Sequence, residues 1–575
     1  RLTLRAHNNI AINAPITSSA GTLDLSLKNN FHGSTGDAGH AATVNADLRL
    51  NGGALEVSQG EALGNGTLII AGGTTLLQGA SHINAAVVNV QAGGRVSMDS
   101  PQSLQGAWSN AGEIELQGAG ALNLENPGAS LINNGRLTLS GTNPFVLTGS
   151  SEASNLSNHG EIVKTMAAAQ NIAGLVNGAT GSIVVDAGQL SLSGTTLGGS
   201  VKVAAGAELF LQGADSAQAG AVGSRLAGGV DITGAGAMTW TGFIDQLGDV
   251  TLGANAPALN ILPLPSPLSF SFLRGAGHKL STHNAINIAG EFVLDGGMVW
   301  DNYGTVNVGA TQQGVLSFNT DAIFNNKNGG VVDVTDGSRF MLANVTTINN
   351  EAGAVLQLAS SGTSTFSGGY QGRLINSGTI VKTGSATTTV PLENRASGML
   401  QIIEGGLGVT FTPTHANAGS ISIASGATLS STGAVDLHNA GTIRGTGTID
   451  LGVNGARLVN SGTVAPGGSD EVGTLAISGG YAQSTLGALN IRLAGDSADK
   501  LDVTGPVQLA GRLNLATLGG GLPANGVVAD FLLGNTVGSS GTFTTVSAPA
   551  IVTPETTGKL SVVYALEGSV LAQVK

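Results

Sequence analysis

Few side chains in this sequence stand close enough together to perform chemistry as a group. The tightest histidine group is His32, Asp37 and His40, which lie within nine residues. Imidazole nitrogens and carboxylate oxygens are ligands that transition metals accept. A polar, glycine-rich loop explains the same three residues more simply. There is no cysteine, so thiolate sites and disulfides are excluded, and we expect no metal and no cofactor.

Acidic residues could form a second kind of site. Glycosidases and lyases need paired carboxylates, or carboxylates with calcium and a base, in one groove. The closest acidic groups are Asp470 with Glu471, and Asp496 with Asp499 and Asp502. Both groups lie near turns in the carboxy-terminal part of the chain. We therefore expect the protein not to be an enzyme, with a carbohydrate-active β-helix as the alternative.

Composition excludes other classes of function. The chain carries 23 Lys and Arg against 36 Asp and Glu, a net charge of −13, and no basic run of five residues. Nucleic acids and anionic membranes require a cationic face, so both are disfavoured as partners. Glycine contributes 90 residues and charged residues only 10%, yet 41% are hydrophobic. A repetitive, well-packed structure fits this composition better than disorder does.

The most informative pattern is a repeated phrase of asparagine, one residue, glycine and then alternating apolar residues. It occurs at 133–139, 158–163, 376–381, 439–443 and 460–464, among other places. Gly112, Gly135 and Gly160 of successive phrases are 23 and 25 residues apart. A period near 22 that varies by a few residues is typical of a solenoid whose corners tolerate insertions.

Each period contains short segments of strand type. The segment 420–423, Ser-Ile-Ser-Ile, alternates polar and apolar residues, and Gly, Asn, Ser and Asp cluster between such segments. About three strands and three turns fill one period. We therefore predict an all-β protein, a right-handed parallel β-helix with roughly 20–25 residues per coil and roughly 26 coils in all.

The repeated asparagine has a physical explanation in this fold. Stacked coils place the same turn residue above itself about 4.8 Å away. A side-chain amide can then donate to one neighbour and accept from the next, which forms a ladder. The best candidates for a structural ladder are Asn133, Asn376, Asn439 and Asn460.

Breaks in the repeat suggest a division of the chain into four segments. We predict a shaft over 1–255, an excursion over 256–285, a continued shaft over 286–465 and a β-rich cap over 466–575. The excursion is predicted because prolines cannot donate to a strand ladder and four of them fall between 257 and 267. Its apolar side chains are candidate partner contacts: Leu262, Leu264, Leu268, Phe270 and Phe272.

Two stretches carry a family resemblance. The opening, 2–17, reads Leu-Thr-Leu-Arg-Ala-His-Asn-Asn-Ile-Ala-Ile-Asn-Ala-Pro-Ile-Thr and resembles the rod of filamentous-haemagglutinin-type exoproteins. The stretches 462–469, 473–481 and 499–505 resemble the end of autotransporter passengers. The resemblance implies a secreted or surface-displayed bacterial adhesin, associated with the outer membrane and with virulence.

The same resemblance implies partners. An outer-membrane transporter barrel would act during export, by the two-partner or the autotransporter route, and the ligand would be a surface receptor or polysaccharide in cell or biofilm attachment. A purely structural spacer of a larger exoprotein is a further alternative.

Overall fold

The computed structural model shows an all-β protein. In the part of the chain that it describes, every regular element is a β-strand, and parallel strands stack as a β-solenoid of about 19 turns. The predicted fold class is therefore confirmed. The described residues are 1–575 with these exceptions: 30–39, 60–62, 80, 105, 125–127, 149–155, 215–222, 265–269, 310–312, 336, 343–345, 360–365, 369–371, 411–416, 432–434, 453–454, 496, 520–527, 549–559, 565–569 and 575.

Alternation of side chains decides which face of each strand is buried. In Glu113–Leu116, Ile114 and Leu116 are fully buried while the two glutamates face outward. The next coil repeats this pattern, with Ile114 paired to Leu137. Inward side chains of one coil thus rest on those of the next, and the core is a set of continuous aliphatic columns.

The number of turns is lower than predicted because coil length varies more than the repeated phrase suggests. Asn110, Asn133, Asn158 and Asn177 occupy equivalent places on successive turns at separations of 23, 25 and 19 residues. Other turns are longer, since Asn13 and Asn45, which hydrogen-bond across one turn, are 32 residues apart. Insertions at the corners lengthen such turns, and the structure has about 19 turns where 26 coils were predicted.

The chain divides into two compact units, and the first comprises residues 1–287 with 291–293. Its strands form three faces, each a stack of parallel strands. The first face contains Ile10–Ile12, Ala41–Val44, Thr67–Ile70, Val87–Val90, Ala107–Asn110, Ser130–Asn133, Leu156–Asn158, Leu175–Asn177, Thr196–Leu197, Arg225–Leu226, Phe243–Gln246 and Phe270–Arg274. The second contains Ile16–Thr17, Leu48–Arg49, Thr74–Leu77, Arg95–Met98, Glu113–Leu116, Arg136–Leu139, Glu161–Lys164, Ser182–Val185, Ser200–Val203 and Asp231–Thr233, followed by Val250–Leu252 and Lys279–Thr282. The third contains Leu2–Arg5, Leu25–Asn29, Leu55–Gln59 and Ile83–Asn84, then Pro101–Ser103, Ala121–Asn123, Phe145–Thr148, Gln170–Ala173, Gln189–Ser193, Glu208–Gln212, Ala237–Thr241 and Ala258–Ile261.

The second unit comprises residues 288–290 and 294–575. The strands Ala285–Ile288 and Gly290–Asp295 fall at the division between the units. One face of the second unit contains Thr305–Val308, Val331–Val334, Val355–Ala359, Thr379–Thr383, Met399–Ile402, Ser420–Ile423, Thr442–Gly445, Thr463–Pro466, Ala488–Ala494, Ser497–Ala498, Arg512–Thr517 and Thr545–Ser547. Another contains Val299–Asn302, Ile323–Asn326, Thr347–Asn350, Arg373–Asn376 and Leu392–Asn394, and then Leu437–Asn439, Arg457–Asn460 and Gly480–Gln483. The remaining strands are Gly314–Phe318, Arg339–Leu342, Phe366–Gly368, Thr387–Val390, Gly406–Val409, Thr428–Ser431, Thr448–Asp450, Thr474–Ser478, Lys500–Leu509, Val528–Gly541, Leu560–Tyr564 and Val570–Val574.

The excursion predicted for 256–285 is wrong for most of that range. Ala258–Ile261 and Phe270–Arg274 are solenoid strands, in register with Ala237–Thr241 and Phe243–Gln246 of the preceding coil. The prolines at 257 and 263 flank the first of these strands, so no ladder donor is lost within it. The prolines at 265 and 267 lie outside the described residues.

In the segment 466–575, parallel stacking continues past 466, since Arg512–Thr517 pairs with Ala488–Ala494 and with Thr545–Ser547. Strand direction then changes, because Val570–Val574 runs antiparallel to both Val528–Gly541 and Leu560–Tyr564.

A buried ladder of asparagines runs through the first unit. Each side-chain amide donates from Nδ2 to the Oδ1 of the next asparagine: Asn110 to Asn133 at 2.6 Å, Asn133 to Asn158 at 2.7 Å and Asn158 to Asn177 at 2.6 Å. All four side chains are at most 1% exposed. The second hydrogen of the amide reaches backbone carbonyls, so these buried polar groups are satisfied.

The second unit contains a longer ladder of the same kind, with donor–acceptor distances of 2.7–3.0 Å along its whole length. It ends where Asn460 Nδ2 donates to the Tyr481 hydroxyl at 3.3 Å and that hydroxyl donates to Gln483 Oε1 at 2.6 Å. Its members are Asn302, Asn326, Asn350, Asn376, Asn394, Asn417, Asn439 and Asn460.

The structure therefore places Asn133 in the first ladder and the other three predicted asparagines in the second. Of the other members, Asn110, Asn158, Asn302 and Asn417 also have one residue before the following glycine, as in the repeated phrase. The rest depart from it and are harder to find: Asn177 has none, Asn326 and Asn350 have two, and Asn394 has three.

Close packing explains the glycine of the repeated phrase. A Cβ on Gly135 would lie 2.2 Å from the carbonyl oxygen of Gly112, and one on Gly462 would lie 2.1 Å from that of Gly441. Neither glycine has a positive φ. The glycine is needed because the adjacent turn leaves no space for a side chain, and not because the backbone requires a positive φ.

The ladder yields a prediction from two neighbouring asparagines. Asn350 is a buried ladder member, whereas Asn349 points outward and donates to Asn325 at 2.7 Å. We expect Asn350→Ala to lower the free energy of local unfolding by about 1–3 kcal/mol, since it leaves two buried amides unpaired. Asn349→Ala should change it by less than about 0.5 kcal/mol. Native-state hydrogen exchange of the coils between 323 and 380 measures both, and equal effects would contradict a ladder that stabilises the core.

Candidate functional site

Three phenylalanines form an aromatic cluster on the outside of the first unit. Phe243 begins one strand of the first face, and Phe270 and Phe272 lie on the next strand of that face. Because side chains alternate along a strand, Phe270 and Phe272 share one direction. Register places Phe243 opposite Phe272. All three side chains are partly exposed.

The rings contact one another in two geometries. Phe243 and Phe272 are stacked, with ring centroids 5.0 Å apart and planes 16° from parallel. Phe270 makes edge-to-face contacts with both, and its ring centroid lies 5.7 Å from each of theirs. Its plane is 82° from that of Phe243 and 65° from that of Phe272. Offset stacking and edge-to-face contact are the favourable arrangements for aromatic pairs. The cluster is thus a fixed apolar surface that water still reaches.

An ion pair borders the aromatic cluster. Asp245 and Arg274 lie two residues beyond Phe243 and Phe272 and are also in register. Arg274 Nε and Nη2 donate to the same oxygen, Asp245 Oδ1, at 3.0 and 2.8 Å. The Arg274 side chain is 55% exposed and that of Asp245 33%. Charged donors and acceptors therefore stand beside an aromatic surface, a combination suited to a ligand with both apolar and hydroxyl or amide groups.

A buried serine holds the strand that carries two of these rings. Ser271 Oγ donates to the Leu262 carbonyl at 2.6 Å and accepts from the Gly242 amide at 3.0 Å. The side chain is 2% exposed. These bonds tie the strand to the preceding coil. They thereby fix the positions of Phe270 and Phe272, which precede and follow Ser271 in the sequence.

The predicted contact residues have different positions. Phe270 and Phe272 are brought together in the cluster. Leu262 is 37% exposed and Leu264 is 8% exposed, and Leu268 lies outside the described residues. Phe243 was missed because it is 29 residues before Phe272, a spacing outside the period near 22 that the repeats indicate.

Other aromatic residues belong to the interior. Trp108, Trp240 and Trp300 are 1–3% exposed, so they pack in the interior. Trp300 packs edge-to-face on Phe324 within the core of the second unit. These rings are not accessible for sugar stacking.

The structure brings members of the two acidic groups together around Arg492, which binds Asp499 and the turn that carries Asp470 and Glu471. Asp499 is buried and binds Arg492, with Nε to Oδ2 at 2.7 Å and Nη2 to Oδ1 at 3.1 Å. Arg492 also donates to the carbonyls of Ser469 and Glu471, so this pair fastens the preceding turn. Asp470 is exposed, and Asp496 lies outside the described residues, as do His32 and Asp37. Among the residues that the structure describes, no group of three or more His, Asp or Glu could hold a metal ion.

Two lysines are buried, which the sequence pattern did not predict. Lys164 and Lys382 are 0% exposed. They occupy the same place in the phrase Gly-x-Ile-Val-Lys-Thr, which occurs at 160–165 and 378–383. Lys164 Nζ donates to the carbonyls of Met166 and Ala187. Lys382 Nζ donates to those of Thr383 at 2.8 Å, Gly384 at 2.6 Å and Glu404 at 3.4 Å. Each amine therefore satisfies carbonyls of two adjacent coils.

Burial lowers the pKa of Lys164 and of Lys382, and for Lys382 the nearby Glu404 opposes part of that shift. Below the folded-state pKa both states are protonated and the cost of burying the charge is fully present. Between that pKa and the ordinary lysine value near 10.4, the unfolded chain binds more protons. The contribution of these amines to stability therefore rises with pH over this interval.

No protein-family model matches this chain, and no curated protein sequence matches it. Across the described ranges, we found no helix of sufficient length and apolar character to cross a membrane.

The lysines give a prediction with a matched control. Lys382→Met removes a donor from three carbonyl oxygens and should lower the free energy of unfolding by about 1–3 kcal/mol near neutral pH. Lys202→Met, at an exposed position, should change it by less than about 0.5 kcal/mol. Urea unfolding followed by circular dichroism measures both.

The same variant tests the pH dependence. The stability difference between wild type and Lys382→Met should increase from pH 7 to pH 10, because only the wild type gains from losing the buried charge at position 382. A difference that shrinks over this range would contradict the lowered pKa.

Proposed function

We propose that this chain is the β-helical shaft of a secreted or surface-displayed bacterial adhesin of the filamentous-haemagglutinin or autotransporter-passenger type. The observation that carries the proposal is the cluster of Phe243, Phe270 and Phe272, which is partly exposed and stands beside the Asp245–Arg274 pair. An exposed aromatic group on a soluble protein commonly marks a contact with a partner.

The way the cluster is mounted supports a binding role. Its rings stand on two strands that pair with each other in register, and Ser271 fixes one of these strands by two hydrogen bonds. A ligand would meet a surface that is already ordered, so little conformational entropy would be lost on binding. The ligand would be a receptor or polysaccharide on a host or bacterial surface.

The sequence resemblance supports the cellular setting of the proposal. Exoproteins with this type of coil act outside the cell, and export would use an outer-membrane transporter barrel. The protein would then act at the bacterial surface or after secretion, in attachment to cells or in biofilm.

The proposal is tested by substituting the stacked rings. Phe243→Ser with Phe272→Ser should reduce attachment of protein-coated beads to cultured animal cells or to biofilm matrix by roughly tenfold or more, as for the loss of aromatic anchors in other interfaces. Leu486→Ser, at a 73% exposed leucine in the second unit, serves as the control and should leave attachment unchanged.

Circular dichroism must show both variants folded. Unchanged attachment by a folded double variant would exclude the cluster as the contact site.

A further inference from the structure

An alternating column of charge lies on the outward side of the second face of the first unit. Register places Arg95, Glu113, Arg136 and Glu161 above one another on four successive coils. Arg95 Nε lies 3.7 Å from Glu113 Oε2, and Arg136 Nη1 lies 2.6 Å from Glu161 Oε2. The four side chains are 33–49% exposed. The charges therefore alternate in sign along the stack and remain accessible to solvent.

A second outward column stands two residues further along the same strands. It contains Ser97, Glu115, Thr138 and Val163, of which Ser97 and Val163 are only 4% and 3% exposed. Glu115 is held within the chain, since it pairs with Arg95 and accepts from Ser140 Oγ at 2.8 Å. The coils before and after add Leu76 and Val184 to this column.

A column that alternates in sign is complementary to itself when it is reversed. We propose that this face binds a second copy of the chain, antiparallel, about a two-fold axis that passes between the coils of Glu113 and Arg136. Arg95 would face Glu161 of the partner subunit, and Glu113 would face Arg136 of the partner subunit. Each charge would gain a further counter-charge, and the two-fold arrangement uses the same patch on both copies.

The second column fits the same arrangement. The axis places Glu115 opposite Thr138 of the partner subunit, which avoids a contact between carboxylates. It also places Leu76 opposite Val184 of the partner subunit, so apolar side chains meet. A parallel arrangement would set like charges against each other in the first column, which disfavours it.

The matched patch has a definite extent. One coil further out on either side, Arg49 and Lys202 would face each other as like charges. The patch therefore covers six coils, roughly 24 Å by 13 Å from strand spacing and rise. This is well below the roughly 800 Å² per partner of a stable interface. A single pair would bind weakly, and association would require many copies displayed together.

This inference is independent of the aromatic cluster, which lies on the first face of the same unit. The two sites would serve different contacts, one with a foreign surface and one between copies of the protein. Loss of either should leave the other intact, so their tests are distinguishable.

The decisive experiment inverts the column. One full-length protein carries the wild-type column, and the other carries Arg95→Glu, Glu113→Arg, Arg136→Glu and Glu161→Arg. Both carry Glu115→Gln, so that the inverted column does not meet that carboxylate. Each column is complementary to its own reversed copy, but a mixed pair would set like charges against each other.

The two proteins are coated on beads of two colours and mixed. We expect clusters of a single colour in each case, with mixed contacts reduced at least tenfold, and dispersal when salt is raised from about 0.05 M to about 0.5 M, where screening is strong. Clusters of mixed colour, or no clustering by the wild-type column, would overturn the proposal.

A second variant tests the proposal even if the inverted protein does not fold. Arg136→Gln alone should weaken clustering of otherwise wild-type beads several-fold, whereas Arg225→Gln, an exposed arginine on the first face, should not. Equal clustering by the two variants would likewise overturn the proposal.

Discussion

The structure depends on the hydrogen bond between side-chain amides of asparagines on successive coils. A parallel stack of short strands repeats every backbone group about 4.8 Å away, so a polar residue buried in one turn must be satisfied by the turns on either side. Asparagine does this with one donor and one acceptor along the stack. Each ladder converts a row of costly buried groups into a continuous network, which is favourable only when every member is present.

The ladders also explain the unusual composition. Turns that approach each other this closely exclude a Cβ, as at Gly135 and Gly462. Steric exclusion is thus one reason for the abundance of glycine, and a positive φ, as at Gly206 and Gly229, is another. Where carbonyls of adjacent coils converge without an asparagine, a buried lysine supplies the donor, as Lys164 and Lys382 do. Polar groups inside the stack thus support the fold, and the charged residues that remain lie largely on the outside.

Function is therefore sought on the outward faces. A solenoid keeps outward side chains in columns whose spacing is set by the backbone, so neighbouring side chains combine without any loop to hold them. On the first unit this produces the aromatic cluster of Phe243, Phe270 and Phe272. On another face it produces a column of alternating charge that begins at Arg95. The proposed attachment and the proposed self-association both follow from such fixed columns.

The sequence by itself determined the fold class, the inward apolar positions and the nature of the ladder, because these depend on local alternation and on a phrase repeated in each coil. Asn376, Asn439 and Asn460 are recognisable for this reason. Only the tertiary structure decided which outward residues meet. Phe243 and Phe272 are 29 residues apart and Arg95 and Glu113 only 18, because corner insertions and deletions change the length of each turn. The register between coils is set by backbone pairing and core packing, and the amino-acid spacing alone does not reveal it.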